Sequence, residues 1–324
     1  MKVSVIICTH LVERFQNGLY NTLKSLEKQT YPDLDTIIIV DGNRKLYEII
    51  MSQLSSFYKR EIKVILNKKN MGLAHCRNLG VKNSKGDVVA FLDDDVIADS
   101  HWIENILDTY NSFPNCIGVG GRILPLWESK KPIFLPKELY WLIGCSYENS
   151  SGLQEVRNTF GSNLSFRKKT FDSVGLFNES LGKKSGEKGF AVQGEETEFC
   201  IRASQTLGNK IILNPKAIVY HRVNYNTKIW NYIIRRSFDE GYSKAIIRSF
   251  FPNNVLKTET SYLKNLIFQY FPNKIKTNQS DFNQLTRDFF TPAIVVLMTI
   301  SGYYSFKLNQ FLLPILRYFK RESK

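Results

Sequence analysis

The stretch Val88-Val89-Ala90-Phe91-Leu92-Asp93-Asp94-Asp95-Val96 constrains this chain more than any other. Val88 to Leu92 is apolar and β-prone, the mark of a buried strand. It ends in three carboxylates. In an open α/β sheet, ligands gather at the carboxyl ends of strands, so these acids stand at a ligand position. Side chains alternate on an extended chain, so Asp93 and Asp95 lean the same way. Two hard oxygen ligands at the mouth of a sheet suit Mg²⁺ or Mn²⁺ carrying a phosphate-bearing substrate. The competing reading is a solvated acidic loop that caps the helix expected near residues 98–110. The triplet alone does not choose between them.

The segments before it repeat one rhythm. Lys2 to Cys8, Thr36 to Val40 and Ile62 to Leu66 read as buried strands. Leu19 to Gln29, Lys45 to Phe57 and Leu73 to Val81 read as helices between them, and Thr9 to Gly18 as a polar loop. This β-α-β-α-β-α-β order predicts a doubly wound parallel sheet. Asp41-Gly42-Asn43 follows the second strand, where an acid can hydrogen-bond a ribose or base, although Asp-Gly is a turn pair in any fold. Arg77, on the helix that follows the third strand, can clamp a diphosphate or be an ordinary surface arginine.

Beyond residue 115 the pattern changes. Ile117 to Ile123 reads as a glycine-containing strand, and Pro125 to Leu142 as an irregular segment on the substrate side. A small helix is predicted at Lys168 to Val174. A longer one starts at Glu195-Glu196, with Phe199 and Ala203 on one face. Carboxylates at that end gain from the helix dipole, so capping competes with catalysis there. Strands are expected at Lys210 to Leu213 and Ala217 to Tyr220, framing Pro215, with His221 after them.

The charge is uneven. Of the formal +14, residues 1–209 carry 26 Lys and Arg against 24 Asp and Glu, whereas residues 210–324 carry 18 against 6. The basic part is also aromatic and apolar, which favours an anionic membrane surface or a phosphorylated partner. No zinc-finger, helix-turn-helix or RNA-recognition signature is present, so nucleic acid is not the expected partner. Asn231 to Arg236 and Tyr242 to Phe250 read as two basic amphipathic helices. Phe289 to Phe306 carries no charged residue and reaches the length of a marginal membrane span. Phe311 to Tyr318 is a further apolar patch beside basic residues. An interfacial hairpin and a buried cap are both open, and the mixed composition favours membrane contact. The five cysteines are scattered and odd in number, the pattern of reduced thiols in the cytosol. The amino-terminal apolar run stops at Cys8 with no cleavage pattern after it, so no signal peptide is expected.

Taken together and in order, several of these pieces resemble family 2 inverting glycosyltransferases and their nucleotide-diphospho-sugar-binding (GT-A) fold. They are Val3 to Thr9, Asp41-Gly42, Arg77-Asn78-Leu79-Gly80, Gly86-Asp87 and Phe91 to Asp95. Gly161-Ser162-Asn163 with Phe166-Arg167, Glu195-Glu196 with Arg202, and Pro215 with His221 complete the set. Over residues 1–222 the order and spacing of these weak pieces make a specific signal, which also lifts the metal reading of Asp93 and Asp95 above the acidic-loop reading. A narrower likeness is to archaeal transferases of N-glycan assembly. It rests on Ile39 to Asn43, Phe134-Leu135-Pro136 with Tyr140-Trp141, Glu155 to Asn163 and Gly194 to Glu198.

The resemblance implies a metal-dependent inverting transfer from a UDP-sugar, typically UDP-glucuronate, to a dolichyl-phosphate-linked saccharide at the cytoplasmic face of the membrane. It implies Asp95, with Asp93 and His221, as ligands of Mn²⁺ or Mg²⁺. It implies Thr9, His10, Asp41, Arg77, Asp93, Asp94, Asn163 and Lys244 on the nucleotide-sugar side. Glu196 matches the catalytic base of the family's Glu-Asp pair, here Glu-Glu, so the base lies between Glu196 and Glu195. The expected organisation is a catalytic domain over residues 1–225, divided near 115 into nucleotide-binding and acceptor-side halves. A basic helical region over residues 226–324 follows it. A processive polysaccharide synthase is disfavoured, since no Arg-Trp pair and no series of clear spans occurs. A transferase acting on another surface polysaccharide or glycolipid, and a non-catalytic nucleotide-sugar-binding protein, remain the alternatives.

Overall fold

The first strand, β1 (Val3–Thr9), is the hub of the fold, because both of its neighbours lie parallel to it. They are β2 (Leu34–Asp41) and β4 (Val88–Asp93), and β3 (Ile62–Asn67) adds to β2, also parallel. Strands β1, β2 and β4 are buried along almost their whole length, as parallel strands covered by helices must be. The helices between them are α1 (Tyr20–Glu27), α2 (Arg44–Gln53) and α3 (Leu73–Asn83). In this computed structural model, residues 1–128, 131–132, 134–146, 152–182, 192–223, 229–252, 255–277, 284 and 286–322 are described.

The parallel rhythm ends at β4, and the sheet becomes mixed. Its order is β3-β2-β1-β4-β8-β6-β9-β5, where β5 is Val96–Ala98, β6 Gly118–Trp127, β8 Leu164–Arg167 and β9 Ile211–Val223. Strand β8 runs antiparallel to both β4 and β6, and β7 (Gln154–Val156) pairs antiparallel with β9. The helix expected near 98–110 begins later, as α4 (Trp102–Ser112), because Val96–Ala98 is drawn into the sheet against β9. The helix at Lys168–Val174, α5, forms as predicted.

The two strands expected around Pro215 are one strand. The β6–β9 register jumps between Gly121, opposite Asn214, and Arg122, opposite Ile218. Proline cannot donate to a ladder, and the bulge removes Pro215 from it without ending the strand. The Asn214 amide secures the bulge by donating to Thr109 Oγ1 at 2.8 Å and the Asn105 carbonyl at 2.9 Å.

Contacts divide the chain into two compact units. The first comprises Met1–Ser129, Ile143–Lys188 and Glu195–Asn224. Its core holds an aromatic cluster in which Phe199 meets Phe166, Phe171 and Phe177, each with ring centroids 4.8 Å apart. Phe199 belongs to α6 (Glu195–Leu207), so this cluster sets the rotation of that helix.

The second unit comprises Lys130–Leu142, Gly189–Gly194 and Tyr225–Lys324. It is helical: α7 (Ile229–Phe250), α8 (Lys257–Asn265), α9 (Phe271–Thr277) and α10 (Thr291–Glu322). The two helices expected at 231–236 and 242–250 are one, and the apolar runs at 289–306 and 311–318 form one continuous helix rather than a hairpin. The reason for the first is visible at the crossing of α7 and α10. A Cβ on Gly241 would stand 1.8 Å from the Thr299 carbonyl oxygen, and one on Gly302 would stand 2.0 Å from that of Phe238. The glycines do not break their helices; they let two backbones touch. Among the described residues, Asp288–Phe311 is the one helical stretch long and apolar enough to cross a membrane, and 22% of it is buried within the protein. The side chains beyond Phe311 lie outside the described residues.

Candidate active site

Parallel pairing brings the ends of β1 and β4 side by side, with Cys8 opposite Asp93. The acidic triplet therefore opens beside the loop that leaves β1. The three carboxylates do not continue one strand: β4 ends at Asp93, and Asp94 and Asp95 form a turn before β5. Asp94 turns inward, where its Oδ2 accepts from Thr9 Oγ1 at 2.6 Å and its Oδ1 from Arg14 Nη1 at 3.1 Å. Burial, and Asp95 beside it, push the Asp94 carboxyl up to about 6 against the pull of Arg14 and Thr9. Asp93 keeps 39% of its side chain exposed. Asp95 has a cationic partner on each oxygen: His221 Nε2 is 3.5 Å from Oδ1 and Arg14 Nη1 is 3.0 Å from Oδ2. Burial works against its charge, yet His221 and Arg14 hold its carboxyl below the usual range. Burial likewise opposes charge on His221, and Asp95 together with Cys145 outweighs it, raising the imidazole to about 10.

Arg77 is not a surface arginine. It is buried, with Nη1 2.7 Å from Glu195 Oε1 and 4.0 Å from Glu196 Oε2, and Nη2 3.7 Å from Asp93 Oδ1. Burial opposes its charge, and Glu195, Asp93 and Glu196 more than offset that, keeping it a cation. The guanidinium thus joins the end of β4 to the start of α6. Gly161 leaves it room, since a Cβ there would stand 2.3 Å from Nη2.

The two glutamates differ for a geometric reason. Glu195 is four residues before Phe199, on the same helical face, so the aromatic cluster that buries Phe199 also turns Glu195 inward. Glu196 lies about 100° further round the helix. Its side chain is 22% exposed, against 4% for Glu195.

Other positions marked by the sequence make contacts within the fold. The Asp41 carboxylate is buried and accepts from the backbone N–H groups of Met71 and Gly72, each at 2.9 Å, and from Asn67 Nδ2 at 3.0 Å. It thereby fixes the turn that launches α3, the helix bearing Arg77. The His10 ring contacts the Asp41 carbonyl oxygen, and Asn43 Nδ2 donates to the His10 carbonyl at 2.7 Å. Asn163, expected against the donor, has no exposed surface. Its Oδ1 accepts from Trp102 Nε1 at 2.8 Å, and its Nδ2 donates to the carbonyls of Ala217 and Arg122 at 2.9 and 3.1 Å. That amide ties three elements together beneath the site. Lys244 belongs to the second unit, where its Nζ pairs with Glu240 at 3.1 Å and Glu259 at 3.0 Å.

Arg14 stands inside the stretch the sequence marks as a polar loop, Thr9 to Gly18, with nothing local to distinguish it. The available signal was topological: a basic residue in the loop after β1 must emerge beside the acids that end the adjacent strand. Among the described residues, no three or more His, Cys, Asp or Glu side chains are gathered closely enough to hold a metal by themselves. Mg²⁺-type cations that arrive with substrate phosphates need one or two protein carboxylates, however. Asp93 and Asp95, with His221 beside Asp95, are the residues that could supply such ligands.

The model of "Glycosyl transferase family 2" matches residues 4–175. A glucosyl-dolichyl phosphate glucuronosyltransferase of Haloferax volcanii is 37% identical over 284 residues, covering 87% of this chain and 88% of that protein. An uncharacterized glycosyltransferase of Haemophilus influenzae is 36% identical over 105 residues, 32% of this chain and 31% of that protein. Among solved structures, a mannosyltransferase from Pyrobaculum calidifontis, in complex with GDP-Man and Mn²⁺, superposes with a TM-score of 0.54 at 12% identity. It covers 96% of this chain and 85% of that one, a likeness of fold. The parallel β3-β2-β1-β4 half, the mixed continuation of the sheet, the acids at the end of β4 and these matches converge: the fold is GT-A, and the chain is a glycosyltransferase that belongs to glycosyl transferase family 2.

Proposed function

We propose that the protein is an inverting, metal-dependent glycosyltransferase of N-glycan assembly. In this reading it moves glucuronic acid from a UDP-sugar to a dolichyl-phosphate-linked saccharide at the cytoplasmic membrane face. The observation that carries the chemistry is the Arg77 bridge, which holds the glutamate pair of α6 and Asp93 of β4 around one buried guanidinium. The choice of sugar and lipid rests on the extent of likeness to the Haloferax transferase.

Inverting transfer is a displacement at the anomeric carbon through an oxocarbenium-like transition state, with an acceptor hydroxyl in the place that water takes in hydrolysis. A carboxylate must receive the acceptor proton. Glu196 suits that role, being the more exposed of the pair, and Glu195 suits a positioning role as the counter-ion of Arg77. Asp95, Asp93 and His221 would hold Mn²⁺ or Mg²⁺. Bound there, the cation would neutralise the charge that develops on the departing diphosphate. Asp93, the most exposed acid of the triplet, and His10 are assigned to the donor. Thr9, Asp94, Asp41 and Asn163 position the loops around it.

Membrane contact is supported by α10. Leu297, Ile300, Tyr304, Leu308 and Phe311 are all exposed and recur at three- and four-residue intervals, an apolar stripe along one face. The decisive experiment is transfer from labelled UDP-glucuronate, UDP-glucose and GDP-mannose to a glucosyl-dolichyl-phosphate acceptor, with the anomeric configuration of the product read by NMR. Glucuronate transfer with inversion is the expected outcome. Preference for another nucleotide sugar would overturn the substrate assignment, and a retained configuration would overturn the mechanism.

A further inference from the structure

Both oxygens of Asp95 are engaged by cationic side chains, Oδ2 by Arg14 and Oδ1 by His221. Arg14 is the more easily displaced. Half of its side chain is exposed, at the start of the helical turn Phe15–Leu19 that leads into α1, whereas His221 on β9 is only about a fifth exposed. The same Arg14 Nη1 also lies 3.1 Å from Asp94 Oδ1, so one nitrogen is shared by two carboxylates. That turn is seated against the triplet: a Cβ on Gly18 would stand 2.6 Å from the Asp94 carbonyl oxygen.

We infer that Arg14 is a built-in counter-ion that occupies the carboxylate a divalent cation would take, so that the metal binds well only when it arrives with the donor's diphosphate. The inference rests on the metal-dependent reading above and concerns a residue that reading does not use. Its physical basis is competition between two cations for one carboxylate. A guanidinium 3.0 Å from Asp95 neutralises it in place, and a metal ion alone must displace that charge and meet its repulsion. A cation already partnered by a diphosphate carries little net charge into the site. The anionic diphosphate also offers the displaced guanidinium a new bidentate partner.

The test is the affinity of Mn²⁺ itself, read by the loss of the free-ion electron paramagnetic resonance signal, for the full-length wild type, Arg14→Gln and Arg14→Lys, each with and without UDP. Without nucleotide, Arg14→Gln should bind Mn²⁺ at least about tenfold tighter than wild type, the effect of removing one positive charge at that range. Arg14→Lys, which keeps the charge, should stay near wild type. UDP should tighten Mn²⁺ binding strongly in wild type and much less in Arg14→Gln. Equal Mn²⁺ affinity in wild type and Arg14→Gln without UDP would overturn the inference while leaving metal dependence intact. That is also the result expected if Arg14 were a structural ion pair, whose loss would lower the melting temperature alone. Failure of wild type to bind Mn²⁺ even with UDP would overturn both the inference and the metal reading.

Discussion

At the residue scale, Glu195 and Glu196 are adjacent and chemically identical, yet they stand in different environments because one shares a helical face with Phe199. Glu196→Gln keeps size and hydrogen bonding but cannot take a proton, so kcat should fall by about 10²–10⁴-fold with little change in melting temperature. Glu195→Gln removes the closest charge from buried Arg77 and should act on stability, at a cost on the order of 3–5 kcal/mol if the pair behaves as buried pairs do. Measuring kcat and melting temperature for both variants separates the roles. A Glu196→Gln enzyme that turns over normally but melts early would sink the base assignment. Asp95→Asn should remove most activity and the metal dependence of nucleotide-sugar binding, and full activity of the wild type in EDTA would contradict that. Asn163, for its part, is spent on the frame. Sequence could mark it as a polar residue in a motif, but not that Trp102, Arg122 and Ala217 would converge on it from distant positions.

At the element scale, α6 positions the glutamates only as well as its aromatic seat holds it. Phe199→Ala should cost about 3–5 kcal/mol and lower activity beyond the loss of folded protein, since the helix that carries Glu196 would lose its rotational anchor. An unaltered specific activity per folded molecule would argue against that coupling. The second unit offers a parallel case. Deleting α10 would uncover the face of α7 that Gly241 and Gly302 bring into backbone contact, so truncation confuses folding with membrane binding. Paired substitutions on the exposed stripe, Leu297→Glu with Leu308→Glu, leave that crossing alone. They should release the protein from membranes while preserving its melting temperature and donor binding. A doubly substituted protein that still sediments with membranes would remove α10 from the interface. The run at 289–306 was legible as apolar, but its continuity with 311–322 was not. A helix carries on through small and polar residues when packing supports it, and packing is not a local property.

At the scale of the whole molecule, residues 210–324 carry 18 basic residues against 6 acidic ones. Basic residues near an anionic surface contribute roughly 1 kcal/mol each, and salt screens them. Flotation with anionic vesicles should therefore exceed flotation with zwitterionic ones and weaken as salt rises. Equal binding to both at every salt concentration would assign association to the apolar stripe alone. Donor binding has its own global reading: a ligand at a hundredfold excess over Kd adds about 2.7 kcal/mol to the stability of the unit that holds it. A UDP-sugar with Mn²⁺ should shift melting by more than either alone, and a shift produced equally by GDP-sugars would undercut the nucleotide assignment.

The order of strands and helices up to β4, its acidic end and the glutamate pair at a helix start were determined by sequence alone. Each is a matter of local periodicity, composition and a few residues at short range. The antiparallel turn of the sheet at β8, the single bulged strand through Pro215 and the merging of α7 and of α10 were decided by tertiary structure. So were the burial of Arg77 among Asp93, Glu195 and Glu196, and the meeting of Arg14 with Asp94 and Asp95. Apart from Arg77–Asp93, these contacts join residues 80 or more positions apart, and their energy is realised only when the sheet has assembled and excluded water around them.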